Sequence, residues 1–329
     1  MREMSFMNCD VVTKAFHRIK NYLNETPLIQ NEVLNSKFSS KFYFKFEGVQ
    51  KTGSFKFRGA LNSLLHLRER DKSQNEVVCH SSGNHAQAVA LAAKILGMHA
   101  TIYVPKNASK VKIMGARIYG ANVILTEDRQ TANAMACEKG KSCFLLPPFD
   151  HDDVIAGQGT AVFEAWSEIG DFDAVFTPCS GGGLVSGAYL ASRLFSDIAK
   201  VYAVEPEIAN DAARSYRTGS IYSFSDSPMT IADGARSLSI SERTFQYIKK
   251  LNGFYESSEE DIVRCVQFAS HFLKINIEPT SALAISGALQ WIKEGNEDKK
   301  ILVVLSGGNM DHDSHVKVWE KDYLESFFE

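Results

Sequence analysis

Lys56 stands in the stretch Lys51-Thr52-Gly53-Ser54-Phe55-Lys56-Phe57-Arg58-Gly59-Ala60, just past an alternating run, Lys41-Phe42-Tyr43-Phe44-Lys45-Phe46-Glu47. The run's period of two predicts a strand, with Gly53 turning the chain, Ser54 capping, and residues 57–65 continuing as a helix. Lys56 then falls in the first turn of a helix at a strand's carboxyl end. A helix N-terminus favours anions, so a solvated ammonium is poorly placed there. A buried neutral amine at that spot is a nucleophile, because desolvation lowers a lysine pKa and frees the nitrogen lone pair.

Four other segments gather groups with chemistry of their own. In Thr177-Pro178-Cys179-Ser180-Gly181-Gly182-Gly183-Leu184 a strand ends, three glycines follow and an apolar helical pattern begins. Such glycines let backbone N–H groups converge on an anion, with the helix dipole behind them. No GK[ST] follows, and Ser186 sits where the third glycine of GxGxxG belongs, so neither nucleotide fingerprint applies. A tight turn that needs close packing is the plainer reading of the glycines. His80-Ser81-Ser82-Gly83-Asn84-His85-Ala86-Gln87 groups hydroxyls and an amide at the start of an alanine-rich helix, a site for a carboxylate or simply an N-cap. Leu305-Ser306-Gly307-Gly308-Asn309 repeats the strand-then-glycine pattern. Glu205-Pro206-Glu207-Ile208-Ala209-Asn210-Asp211 offers carboxylates and a backbone carbonyl that, completed by waters, suit a hard divalent ion. Acidic loops after strands are common, so the bare pattern is a weak one.

The elements that must position these groups alternate along the chain. Strand-like apolar runs occur at 77–79, 100–104, 121–125, 143–146, 174–177, 201–204 and 301–305. Helical patterns lie at 10–24 and near 84–97, 108–119, 131–139, 152–169, 183–196, 259–273 and 281–294. That alternation predicts βαβ units and parallel sheets with helices on both faces. The segment 216–229 reads as a long surface loop. A chain of 329 residues suits one large or two modest domains. Apolar residues at 44% and charged residues at 23% are ordinary for a soluble globular protein. Net charge is −3 with the basic residues dispersed, which removes the electrostatic footprint that nucleic acid requires. Six cysteines show no CxxC pair, no start signal resembles a leader, and no apolar run approaches membrane-spanning length. The expectation is a cytoplasmic, reduced protein with no membrane partner.

The wording of residues 51–62 resembles the lysine segment of the serine racemase and serine/threonine dehydratase family, fold-type II enzymes that use pyridoxal phosphate. The resemblance runs over most of the chain. It implies an α/β fold of two open, twisted, mostly parallel sheets flanked by helices. A small domain, 76–153, is inserted in a large one, 1–75 plus 154–329, with the active site in the cleft between. By the same resemblance Lys56 carries the cofactor. Ser180, Gly181, Gly182, Gly183 and Leu184 grip its phosphate, Ser180 replacing the first of the usual four glycines. Asn84 bonds the phenolic oxygen, Gly234 and Glu278 belong to segments near the ring, and Ser306 faces the pyridine nitrogen. A neutral hydroxyl there makes a weaker electron sink, which suits elimination and proton exchange more than transamination. Ser81, Ser82 and His85 border the substrate, with packing or capping as the other role for His85. Ser82 stands across the cofactor from Lys56.

The resemblance also implies Mg²⁺ or Ca²⁺ on Glu205, the Ala209 carbonyl and Asp211. Lys51, Thr52, Gln87, Tyr119, Lys274 and Asn309 match a nucleotide pocket between subunits of a homodimer, with ATP as activator; Phe149 departs from the asparagine expected there. The implied substrate is a small β-hydroxy amino acid: L-serine, L-threonine or 3-hydroxyaspartate. Lys56 removes the α-proton, and loss of the β-hydroxyl leads to a 2-oxo acid and ammonia. Proton delivery by Ser82 to the opposite face leads instead to the D-amino acid. The rivals are threonine synthase-like or cysteine synthase-like enzymes of the same fold, and a silent binding protein on this scaffold.

Overall fold

The computed structural model describes residues 7–81, 83–106, 108 and 110–325. Its strands are β1 (Leu28–Ile29), β2 (Lys41–Phe46), β3 (Glu76–His80), β4 (His99–Pro105), β5 (Asn122–Thr126), β6 (Phe144–Leu145), β7 (Ala174–Pro178), β8 (Lys200–Pro206), β9 (Gly253–Ser257) and β10 (Lys300–Leu305). One sheet has the order β1-β2-β10-β7-β8-β9, the other β5-β4-β3-β6. Among the described residues, every pairing between these strands is parallel except β1 with β2. Parallel neighbours need crossover connections, which is why helices alternate with strands and cover the sheets.

The alternation in β2 has a different meaning from a half-exposed strand. Residues 42–46 are all buried. Phe42, Phe44 and Phe46 enter one core cluster with Phe176, Tyr202 and Trp291, while Tyr43 enters the cluster on the opposite face with Trp166 and Phe172. The period of two therefore separates two cores rather than core from water. Lys45 is only 2% exposed, and its charge is met by an ion pair with Glu164.

Three helices are locked together by glycines. The helix Lys56–Arg70 approaches the helix Asp152–Ile169 so closely that a Cβ on Gly157 would lie 2.7 Å from the Arg58 carbonyl oxygen. The helix Gly183–Phe195 crosses the same neighbour, where a Cβ on Gly187 would lie 2.5 Å from the Gly159 nitrogen. The lysine helix and the helix behind the triple glycine are thus held against a common partner.

Some elements carry no clear pattern in the sequence. β1 is two residues long, β9 is only partly buried, and the short helix Glu242–Ile248 is closed by a capping box between Ser241 and Thr244. The expected loop at 216–229 begins inside the helix Asp211–Thr218, which Gly219 ends in a left-handed conformation at φ 75°.

Candidate active site

The lysine segment is anchored to the end of β10. Ser54 is extended (φ −165°) and forms a bridge with Gly307, while the Phe55 N–H donates to the Ser306 carbonyl at 3.0 Å. Phe55, not Ser54, is the residue that precedes the helix, and no side chain caps it, so the expected serine cap is not formed. Its backbone is committed to the strand end instead. Lys56 opens the helix, partly buried, and its Nζ donates to the Pro148 carbonyl at 2.9 Å. Burial pushes this amine down to about 8, against an opposing pull from Glu278.

The residue after Pro148 covers the triple glycine. A Cβ on Gly181 would fall 2.2 Å from the Phe149 ring, and one on Gly183 would fall 2.8 Å from the Phe149 Cβ. Gly182 has φ 86°, a conformation glycine adopts without cost. Leu184 is buried in the first turn that follows. Ser180 Oγ shares a hydrogen bond with Ser237 Oγ at 2.7 Å. The amine and the glycine cradle therefore flank one dipeptide, Pro148-Phe149. A nucleophilic amine beside an anion cradle at a helix N-terminus fits a cofactor that carries both a carbonyl and a phosphate.

A second set of groups centres on Glu278, whose charge acts on the Lys56 amine. Asn84, the first residue of the helix Asn84–Ile95, donates from Nδ2 to both Glu278 oxygens, at 2.8 and 3.0 Å. Its Oδ1 accepts from Asn309 Nδ2 at 2.9 Å, and that nitrogen also donates to the Thr52 carbonyl at 2.7 Å. Burial pushes Glu278 up to about 7, against Lys112, with Asp233 adding to the rise. Ser306 Oγ lies 3.1 Å from Ser281 Oγ, and the Gly234 N–H donates to Thr280 Oγ1 at 3.0 Å. His85 is buried with Nε2 3.0 Å from the Leu146 carbonyl, and burial pushes it down to about 3, so it is neutral with the proton on Nε2. Ser81 Oγ accepts from the Gly83 N–H at 3.2 Å, a bond within its own turn. Ser82 lies outside the described residues.

The acidic loop after β8 also converges. Glu205 and Asp211 are both fully buried, and Glu205 Oε2 accepts from the Ala213 N–H at 2.8 Å. Among the described residues, Glu205 Oε1 and both Asp211 oxygens lack a hydrogen-bond partner. Burial, and for Glu205 the neighbouring Asp211, pushes these carboxyls upward, Asp211 to about 7. Buried carboxylate oxygens without donors fit a hard cation, which would supply the missing positive charge. Ala209 is buried in the same loop. Among the described residues, no group of three or more His, Cys, Asp or Glu side chains is arranged to hold a metal, so a cation here rests on two carboxylates and backbone.

The six positions matched to a nucleotide pocket are only partly joined. Thr52 and Asn309 are hydrogen-bonded, and both Thr52 and Lys274 have left-handed backbones at φ 66° and 57°. Gln87 packs against Gly115, Tyr119 against the core of the four-stranded sheet, and the Lys51 N–H donates to Gln50 Oε1 at 3.0 Å. Sequence reasoning missed Pro148, Phe149 as a cover, the Asn84–Glu278 pair, and the ion pair between Lys112 and Asp233 that joins the helix Lys110–Ile118 to the turn carrying Gly234. A lysine on the same helical face as Ile113 and Ala116 is the signal that could have found the last.

A family model described as pyridoxal-phosphate dependent enzyme matches residues 19–307. The chain is 44% identical over 306 residues to an L-threo-3-hydroxyaspartate ammonia-lyase of Saccharomyces cerevisiae, covering 91% of this chain and 92% of that one. It is 42% identical to a serine racemase of Schizosaccharomyces pombe, covering 92% and 94%. The structure of maize serine racemase matches with a TM-score of 0.87 at 32% identity, covering 98% of this chain and 99% of that one. Among the described residues, no helix is long and apolar enough to cross a membrane.

Proposed function

The chain belongs to the pyridoxal-phosphate dependent enzyme family, and from that premise we propose that it is an ammonia-lyase of small β-hydroxy amino acids with racemisation as its companion reaction. The observation that carries this reading is the Lys56 amine, lowered to about 8 and hydrogen-bonded to Pro148 beside the Phe149-covered glycines. When bound, the cofactor supplies a carbonyl for the substrate amine and a conjugated ring that stabilises negative charge at the α-carbon. Lys56 would be the residue that holds the cofactor, and once freed by the incoming amino acid its Nζ would be the base that accepts the α-proton. Ser180, Leu184 and the glycines would hold the cofactor's phosphate, Asn84 its phenolic oxygen, and Ser306 its ring nitrogen through a neutral hydroxyl, with Glu278 near the ring. Gly234 would border the ring and Ser81 the substrate, while His85, buried and bonded to the Leu146 carbonyl, would either border the substrate or pack beside it. Loss of the α-proton and the β-hydroxyl leaves an enamino acid that water converts to a 2-oxo acid and ammonia.

The same reading includes Mg²⁺ or Ca²⁺ at Glu205, Asp211 and the Ala209 carbonyl, supported by their unpartnered buried oxygens. The reading extends to a nucleotide such as ATP at Lys51, Thr52, Gln87, Tyr119, Lys274 and Asn309 of a cytoplasmic homodimer, for which the Thr52–Asn309 hydrogen bond is the supporting contact and Phe149 the departing position. Division into 76–153 and the remainder is supported by β3 to β6 forming a sheet of their own.

Borohydride reduction and peptide mapping should place a pyridoxyl group on Lys56, and a substrate panel should release ammonia and 2-oxo acid. A label on another lysine, or no product from any β-hydroxy amino acid, would sink the proposal. Ser82→Ala should cost D-serine formation a general acid–base factor of about 10²–10⁴ while sparing L-serine breakdown. Equal loss of both, or no D-serine from the wild type, leaves the lyase alone.

A further inference from the structure

Two residues beyond Lys56, Arg58 is completely buried in a charge network that the chemistry above does not use. Its Nε and Nη2 donate to the two oxygens of Glu47 at 2.7 and 2.8 Å, and its Nη1 and Nη2 donate to the two oxygens of Glu164 at 2.7 and 2.8 Å. Thr160 Oγ1 and Thr26 Oγ1 accept further bonds at 3.2 and 3.1 Å. Lys45 completes the set through Glu164 at 2.9 Å, so two cations face two carboxylates and the network is neutral.

Stability is a poor explanation for such a network. Replacing buried ion pairs by well-packed apolar side chains is often neutral or stabilising. What the network does supply is geometry. A guanidinium held edge-on by two carboxylates is fixed in plane and in rotation, which a lysine ammonium cannot reproduce. Its partners sit where fixing matters. Glu47 follows β2 and Arg58 lies in the first helical turn, so their bond closes the connector that contains Thr52, Ser54 and Lys56. Glu164 belongs to the helix that also packs on the helix behind the triple glycine.

We propose that Arg58 is a positioning residue: by clamping Glu47 and Glu164 it sets where the Lys56 amine stands relative to the glycine cradle. The proposal rests on the reading that Lys56 bonds pyridoxal phosphate. The test uses the full chain with Arg58→Lys, which keeps the charge and loses the fork, and with Thr26→Val, which removes one hydroxyl at constant shape. Cofactor-free and loaded forms are both measured. In Arg58→Lys the affinity for pyridoxal phosphate, read by fluorescence titration, should weaken at least about tenfold, and kcat should fall about 10²-fold, the scale of a small misplacement. KM for the amino acid should stay within about threefold, because substrate-binding groups are untouched. Thr26→Val should move both quantities in the same direction by less. If both variants lower only the melting temperature, and the folded protein keeps wild-type cofactor affinity and kcat, the clamp merely holds the fold and the proposal is overturned. Should Arg58→Lys not fold, Thr26→Val decides on the same two numbers. A wild type without a pyridoxyl label on Lys56 removes the underlying reading and this proposal with it; a labelled wild type with unaffected variants overturns this proposal only.

Discussion

Removing or supplying a divalent cation should change the stability of this protein through Glu205 and Asp211. Both carboxyls are buried, and three of their four oxygens lack a donor among the described residues. Cation-free, the folded state holds two adjacent carboxyl groups out of water with little compensation. A ligand that binds only the folded state, supplied at about 100 times its Kd, adds about 2.7 kcal/mol. With an unfolding entropy of about 2.1 cal/mol/K per residue, a chain of 329 residues has about 0.7 kcal/mol/K in total. The melting temperature should therefore rise by about 4 °C when Mg²⁺ or Ca²⁺ replaces chelator. Differential scanning fluorimetry of wild type and Asp211→Asn, each in chelator and in excess cation, measures this directly. The variant should lose the shift, and in chelator it should melt no lower than the wild type, since it has one buried carboxyl group fewer. No shift in the wild type with either ion, or an equal shift in Asp211→Asn, would refute the reasoning and leave an acidic loop.

Lys56 has a folded-state pKa of about 8, below its unfolded value, so its contribution to stability is present above the unfolded value and is lost as pH falls through about 8. In competitive acylation of the cofactor-free protein its reactivity should be half-maximal near pH 8, against about 10.4 for exposed lysines; a midpoint above pH 10 would contradict its burial. Gly181→Ala forces a Cβ into the Phe149 ring, and an overpacking cost of about 1–3 kcal/mol should weaken pyridoxal phosphate binding by about 5- to 150-fold. Fluorescence titration checks this, and an unchanged affinity would mean that the cradle has slack.

Much of the site was legible because its parts are local. Lys56 at a helix start, the triple glycine at another, and the serine and glycines after β10 are each read from a few adjacent residues. Turn and cap chemistry act over that range. The regular alternation of apolar runs and helical patterns likewise announced parallel sheets before any pairing was known. Even locally there were limits. Ser54 reads as a cap by type, yet its backbone is taken by Gly307, a partner no short window contains.

The chain's own chemistry determined which groups were available: an amine, a glycine cradle, an amide, hydroxyls and a pair of carboxylates, each at a strand-to-helix junction. Tertiary structure decided which of them meet. Lys56 finds its carbonyl 92 positions away, and Asn84 finds Glu278 at a separation of 194. Both distances span crossovers between parallel strands, and strand order is settled by burial across whole sheets rather than by neighbours in sequence. The alternation of β2 shows the same division: its period was visible, but only packing on both faces reveals that Lys45 points into a buried charge network and not into water. A covalent chain sets spacing over a turn or two. Which buried charges find partners depends on surfaces that exist only once the sheets have stacked.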